Sequence, residues 1–458
     1  MTRSALYGTN KGYMQSSSDL PRKSFGPKNI FRALRHKNYR LFSGGQCISL
    51  VGTWMQYIAV SWLVYRLTNS ALMLGLVGFV GQLPTFVIAP LAGVLGDRYE
   101  RRRMLVVIQS LAMAQASILA FLVLSHQIQV WQIIVLSFFL GIINSFDMTI
   151  RQAFTVEMID DREDLGNAIA LNSTMLNAAR LIGPALAGLL IVSIGEGICF
   201  LLNAISYIAV IASLLIMRIP KIRHAEAPRR ILSELKEGFS YAANFPPIKW
   251  ILLVLSLISL MGVSYQILLP VITREIFKGG ANTMGFFMTM AGFGALGGAI
   301  FLAARKSVRG LPRIIAWTAG LFGLTLMAFA FSRTYWLSMG ILLVSGFAMM
   351  VHMASCNTIL QTIVEEDKRT RIMSFYTMAF LGMMPFGSLL AGALAARIGA
   401  PYTLLLEGVC CVLGAVYFAS KLPLIRAKIR PIYIEKGIIP EVARGIQAAA
   451  GLESLTKE

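Results

Sequence analysis

The sequence predicts an all-α membrane protein of twelve transmembrane helices, arranged as two six-helix bundles with both termini in the cytoplasm. Three observations carry that prediction. Of the 458 residues, 56% are hydrophobic and only 14% charged, with a mean hydropathy of +0.67, a balance ordinary water-soluble domains do not reach. The apolar residues fall into twelve runs, each matching the roughly 20 residues a helix needs to cross a bilayer core of about 30 Å. The basic residues gather on one side of those runs, as the positive-inside bias demands.

Along the chain, residues 1–41 form a polar, basic tail without the short apolar core and small-residue cleavage site of a signal peptide. The first bundle, 42–217, holds spans at 42–65, 72–95, 104–124, 131–150, 167–192 and 197–217. A linker at 218–248 carries basic residues and an amphipathic piece, Ile231 to Phe245, suited to lie along a membrane surface. The second bundle, 249–420, holds spans at 249–272, 282–304, 312–331, 336–362, 371–396 and 400–420, and a tail follows at 421–458. Ile182 to Gly188 (IGPALAG) aligns with Phe386 to Gly392 (FGSLLAG) at an offset of 204 residues. Such a repeat fits two bundles of like orientation.

The formal charge of +20 invites a nucleic-acid reading, which requires basic residues on a water-exposed face. Instead, 36 of the 42 Lys and Arg lie in the tails or in connections on the side of the termini. Arg66, Arg274, Lys278, Arg333 and Arg397 lie on the opposite side, and Arg180 falls inside a span. The charge therefore sets topology and attracts anionic membrane lipids, and no nucleic acid is expected. Cys47, Cys199, Cys356, Cys410 and Cys411 all sit in apolar runs, so neither a disulfide framework nor a metal site is expected. No phosphate-binding loop and no nucleophile–base constellation is present. The chain reads as a transporter without cofactor, not an enzyme, driven by an ion gradient.

The loop after the second span reads Gly93-Val94-Leu95-Gly96-Asp97-Arg98-Tyr99-Glu100-Arg101-Arg102-Arg103. It resembles the signature loop of the major facilitator superfamily, with Glu100 where that pattern usually has Gly. Phe146 to Ala153, Leu165 to Asn172, Ala179 to Pro184, Glu237 to Phe239 and Arg369 to Arg371 resemble the branch containing enterobactin exporters and macrolide-type drug:proton antiporters. The resemblance runs from Phe31 to Leu422 and departs at Thr149, often Pro in the branch, and Thr370, often Gly. It implies two bundles rocking about a central site, in a bacterial inner membrane, to export a siderophore or amphipathic drug against protons. It also implies a gating charge network of Asp97, Arg98, Arg101, Arg102, Asp147 and Arg151, with Asp147 paired to an arginine of the 98–103 loop. Gly183, Pro184 and Gly188 resemble the fifth-helix antiporter motif of exporters, though small residues also serve ordinary close packing of membrane helices.

Polar side chains mark a candidate substrate cavity. Gln46, Ser49, Thr53 and Gln56 share an arc of about 80° on the first span, as helical spacing places them. Ser256, Ser259 and Gln266 share a face of the seventh span, and Ser173, Asn177 and Arg180 one of the fifth. A wet pathway and simple interhelical hydrogen bonding both remain open for these faces. Arg180 is the sharpest signal, because an arginine near the midplane costs several kcal/mol unless paired or hydrated. It should face the cavity, either to attract a ligand or to balance a carboxylate. Proton-coupling candidates are Asp147, His352 and Glu407. His352 equally suits a packed, hydrogen-bonded role, and Glu407 an interfacial one. The resemblance adds that the first span lacks the acid many proton-coupled exporters carry. Two further functions stay open, lysophospholipid flipping as in a related branch and a non-transporting membrane sensor. Cysteine labelling from either side of the membrane is expected to place the Arg98 to Arg103 turn in the cytoplasm; labelling from outside would overturn the topology.

Overall fold

The computed structural model describes residues 31–159, 161–217, 239–305, 307–436 and 438. Residues 218–238, with most of the expected amphipathic piece, lie outside the described residues, as do the side chains of Asp97 and Arg98. Among the described residues, twelve helical segments are long and apolar enough to cross a membrane. They are α1 (Lys37–Thr68), α2 (Ala71–Arg98), α3 (Arg101–Leu124), α4 (Val130–Glu157), α5 (Arg162–Ile194), α6 (Glu196–Ile216), α7a with α7b (Pro246–Met261 and Tyr265–Glu275), α8 (Ala281–Ala303), α9 (Leu311–Phe331), α10 (Tyr335–Ile363), α11a with α11b (Glu366–Phe380 and Met384–Ile398) and α12 (Ala400–Ser420). A further helix, α13 (Leu422–Glu435), follows directly.

Helix is the form that lipid imposes, because it satisfies its own backbone hydrogen bonds. Local chemistry sets the ends. Asn69, with φ of 46°, stops α1 in the left-handed conformation that Asn tolerates. The Asp161 side chain accepts the Glu163 amide at 2.9 Å to start α5, and Glu163 and Asp164 place negative charge at its positive end. Several helices run past the expected spans; α1 begins at Lys37 and α4 continues to Glu157. The apolar ruler measures the hydrocarbon crossing, whereas the hydrogen-bonded helix continues into the polar layer.

The two halves repeat one pairing scheme. In the first, α2 packs on α4, α3 on α4 and α6, and α1 on α6; in the second, α8 packs on α10, α9 on α10 and α12, and α7a on α12. Between the halves, α5 meets α8 and α11b meets α2, again as a matched pair. These inter-half contacts gather at the end away from the chain ends. A Cβ on Gly188 would stand 2.8 Å from the Ala281 carbonyl, and one on Gly75 2.6 Å from that of Ser388. Small residues there let the backbones touch. Phe79 and Phe86 of α2 meet Phe386 edge-on, with centroids 5.8 and 6.3 Å away. On the other half of these helices, Ile169 and Leu176 of α5 and Met378 of α11a are exposed.

Packing within the second half makes one prediction. A side chain at Gly294 on α8 would run into the Leu343 carbonyl of α10, while Gly340 has open space around it. Gly294→Val should therefore lower the stability of detergent-purified protein by about 1–3 kcal/mol. Gly340→Ala should leave it unchanged or slightly raised, and thermal unfolding of the two variants reads the difference.

Candidate functional site

The charged residues at the chain-end side form local pairs. Arg101 reaches Glu157 of α4 at 2.5 Å, with both side chains nearly buried. Arg102 donates to the Leu214 and Leu215 carbonyls at 2.7 and 2.9 Å, capping α6 where its last carbonyls lack helical partners. Asp147 pairs with Arg151 one turn along its own helix and accepts from Gln109 Nε2 at 2.7 Å. The expected partnership of Asp147 with an arginine of the 98–103 loop is thus corrected. Arg151 is one turn away on the same face, and Glu157 takes Arg101. The strap before α1 is tied to α5, with Arg32 and His36 on Asp164 at 2.5 and 3.1 Å and the Tyr39 hydroxyl donating to the Ala168 carbonyl at 2.8 Å.

The polar face of α1 divides between two places. Gln46, Ser49 and Thr53 line a cavity of about 40 Å³ inside the first half, with Gln109, Asn144, Asp147, Arg151 and Tyr207. Among the described residues, Gln46 Oε1, Gln109 Oε1 and Arg151 Nε are buried without a protein partner. A cavity of this size and polarity suits ordered water. Gln56 departs from the expected substrate face. It is buried, donating to Gln115 Oε1 at 2.9 Å and accepting from Asn203 at 2.7 Å, so it ties α1 to α3 and α6. Ser259 departs as well, since it is fully buried and donates to the Phe380 carbonyl at the break in α11. A helix break frees carbonyls that a hydroxyl can satisfy. Ser256 is half-buried, and Asn177 donates to its own Ser173 carbonyl at 2.8 Å.

Arg180 and Gln266 come together. They line a second cavity, also about 40 Å³, with Val263, Tyr265, Ala291, Ala295, Phe322, Gly346, Met349, Met350 and Met353. Arg180 crosses from α5 of the first half to a lining otherwise drawn from the second. Its guanidinium lies 5.6 Å from the centre of the Trp54 ring, a cation–π distance. Among the described residues no carboxylate pairs with it. Trp54, Tyr265 and the three methionines escaped the sequence reading because aromatic and Met side chains in a span look like ordinary apolar filling. Gln109, Asn144 and Tyr207 carried a visible signal, being polar groups within spans.

Of the fifth-helix residues, Pro184 and Gly188 lie against Gly285 and Ala281 of α8 at the junction of the halves, whereas Gly183 packs on Trp54 of α1. The helix runs unbroken through Pro184. His352 is fully buried, with Nδ1 3.2 Å from the Ile315 carbonyl and Nε2 3.8 Å from Cys356 Sγ. Glu407 corrects the interfacial expectation. It is 2% exposed, because α9 and the break in α7 close over it, and its Oε1 accepts from Ser264 Oγ at 2.9 Å.

The overall fold is shared with known proteins. Residues 29–442 match the family described as transmembrane secretion effector. The chain belongs to that family, within the major facilitator superfamily. It is 26% identical over 385 residues to the staphyloferrin A transporter of Staphylococcus aureus, covering 83% of this chain and 96% of that one. It is 24% identical over 392 residues to macrolide efflux protein A of Streptococcus pyogenes, covering 83% and 94%. A bacterial homologue of the iron transporter ferroportin, solved in an inward-facing state, shares the fold, with a TM-score of 0.65 at 16% identity over 84% of this chain and 98% of that one. The protein is a multi-pass efflux transporter and not an enzyme.

The Asp147–Arg151 pair supplies a test of this geometry. Removing one partner leaves a buried charge uncompensated, so Arg151→Ala should destabilise the protein by about 3–5 kcal/mol. The double variant Asp147→Asn with Arg151→Gln should cost distinctly less, a non-additivity that denaturation of all three variants measures directly.

Proposed function

We propose that the protein is a secondary exporter that carries a siderophore or amphipathic drug out of a bacterial cell by alternating access, drawing on the proton gradient. The observation that carries this reading is Arg180. It stands at the junction of the halves without a described carboxylate partner, against Trp54 and beside Tyr265, Gln266 and a methionine-lined wall. A cation that is half-buried and unpaired is kept in a membrane protein for a ligand or a pathway. Anionic groups would meet the guanidinium, aromatic rings would meet Trp54 and Tyr265, and methionine adapts to irregular apolar shapes. The names of the two relatives, a siderophore transporter and a macrolide efflux protein, point to the same substrate classes.

The gathering of inter-half contacts at one end supports a state closed there and open at the end bearing the chain ends. With the basic loops in the cytoplasm, that state is the inward-open one, in the bacterial plasma membrane. Proteins of this architecture switch by rocking one half on the other, and the close backbone contacts at Gly188 and Gly75 provide the surfaces that must part. Asp147, Arg151, Arg101 and Arg102 then brace the cytoplasmic end of the first half. Ser256 and Asn177, half-buried on α7a and α5, remain in the proposed substrate path.

Everted vesicles given a pH gradient should accumulate at least one of staphyloferrin A, erythromycin or ethidium, and a protonophore should abolish the uptake. Arg180→Ala should cut transport by about tenfold or more, equivalent to roughly 1.4 kcal/mol of lost interaction. Wild-type vesicles that move none of these but move a fluorescent lysophospholipid would replace export by lipid flipping.

A further inference from the structure

The coupling candidates differ in how their charge is met. Asp147 has Arg151 and Gln109 as partners. The His352 ring is engaged by the Ile315 carbonyl. Glu407 alone of the three has a buried oxygen, Oε2, without a partner, while Oε1 holds only the Ser264 hydroxyl. Around it, α9 presents Gly323 and Met327 at the Gly408 contact, and Cys411 lies one turn away on α12. The charged groups of the packed helices sit at their ends. These are Lys249 on α7a, exposed Arg274 and Glu275 on α7b, Arg313 on α9, and Glu366, Lys368, Arg369, Arg371 and exposed Arg397 on α11. The basic residues of α13 lie beyond the chain-end side of α12. Among the described residues none forms an ion pair with Glu407. An ionised carboxylate there would be buried without counter-charge, a costly state in a membrane interior.

Ser264 ends the three-residue interruption that divides α7. The Gly262 and Val263 amides both turn back to the Ile258 carbonyl, at 2.8 and 3.2 Å. Gly262 is required there because the Phe322 ring lies against it. The same interruption supplies Val263, with Tyr265 and Gln266 just beyond, to the Arg180 cavity. At its other end α7b touches the first half. The Tyr65 hydroxyl donates to Glu275 Oε1 at 2.5 Å, and Arg274 lies 5.9 Å from the Tyr65 ring centre. The eleven residues of α7b form a rod about 16 Å long at 1.5 Å per residue. A small rotation at Ser264 is therefore delivered to the closed junction at Tyr65.

We propose that Glu407 carries the coupling proton and, through Ser264 and the break in α7, sets whether α7b holds the outer junction shut. The proposal rests on the exporter reading above. The carboxylate binds one proton from outside when the outer junction is open, and an O–H bond forms. The neutral acid is what the closed bundle can bury. The same proton departs to the cytoplasmic side, which restores the carboxylate and frees α7b to move. One proton enters and one leaves per cycle, and nothing is oxidised or reduced.

Two measurements on purified full-length protein in nanodiscs need no substrate, their only probe being the proton. Infrared difference spectroscopy should show a carboxylic-acid carbonyl band that Glu407→Gln removes. Hydrogen–deuterium exchange of residues 265–275, corrected for the intrinsic pH dependence, should become about fivefold or more faster from acid to alkaline pH in the wild type. In Glu407→Gln it should stay at the acid-state level, and Glu407→Asp should restore the response. A Gln variant with the wild-type band and pH response overturns the proposal. Should that variant not fold, Ser264→Ala replaces it in the exchange measurement; a weakened pH response supports the link and an unchanged one overturns it. Absence of gradient-driven erythromycin, staphyloferrin A and ethidium transport by the wild type would instead remove the exporter reading, whatever Glu407 does.

Discussion

Every charge placed among these helices must be met by a partner, by water or by a proton, because lipid offers none of them at depth. The structure sorts its interior ionisable groups along that line. Asp147 and Arg151 neutralise each other within one turn, so the first half carries a charge pair of zero net charge beside a polar cavity. Arg180 lies against the Trp54 ring and lines the cavity at the junction of the halves. Among the described residues Glu407 has one hydroxyl and no cation as partner. The three solutions match the three roles proposed for them, bracing, substrate attraction and proton binding.

The same constraint explains the helix breaks. An interrupted membrane helix exposes carbonyls and amides that must be satisfied by protein. The Ser264 hydroxyl lies near the Leu260 and Met261 carbonyls, at 3.3 and 3.2 Å, while Ser259 answers the Phe380 carbonyl of the break in α11. Each break lies in the second half, on a helix that also contacts the first half through α2. The breaks thus fall on helices that meet the other half, while α5, despite Pro184, remains a continuous helix.

The twelve-helix fold was legible because it follows from apolar length, a quantity a single sequence displays. The site was legible only where a residue was anomalous for its surroundings. Arg180 stood out in an apolar run and lies at the cavity. Gln56 and Ser259 looked equivalent to Gln46 and Gln266 by helical angle, yet their neighbours turned them into packing bonds. Angle on a helix states direction, and only the packed neighbour states what lies in that direction. Glu407 was misplaced for a related reason. Seven residues past Ala400 reads as near the surface by rise alone, while the Gly323–Gly408 contact draws α9 tightly beside α12 at that level.

That tight contact also bears on how a proton site and a substrate site are kept apart yet linked. Glu407 and Arg180 carry opposite charges when both are ionised, and direct pairing would cancel the attraction each is proposed to exert. The break in α7 stands between them, with Ser264 turned to the acid and Val263, Tyr265 and Gln266 turned to the cavity of the arginine. Phe322 packs on Gly262 and lines the same cavity, so apolar bulk separates the two charges. A movable backbone between separated charges lets each site sense the other through geometry instead of neutralisation. For the proposed exchange of proton for substrate, that arrangement couples the two binding events through the position of α7b.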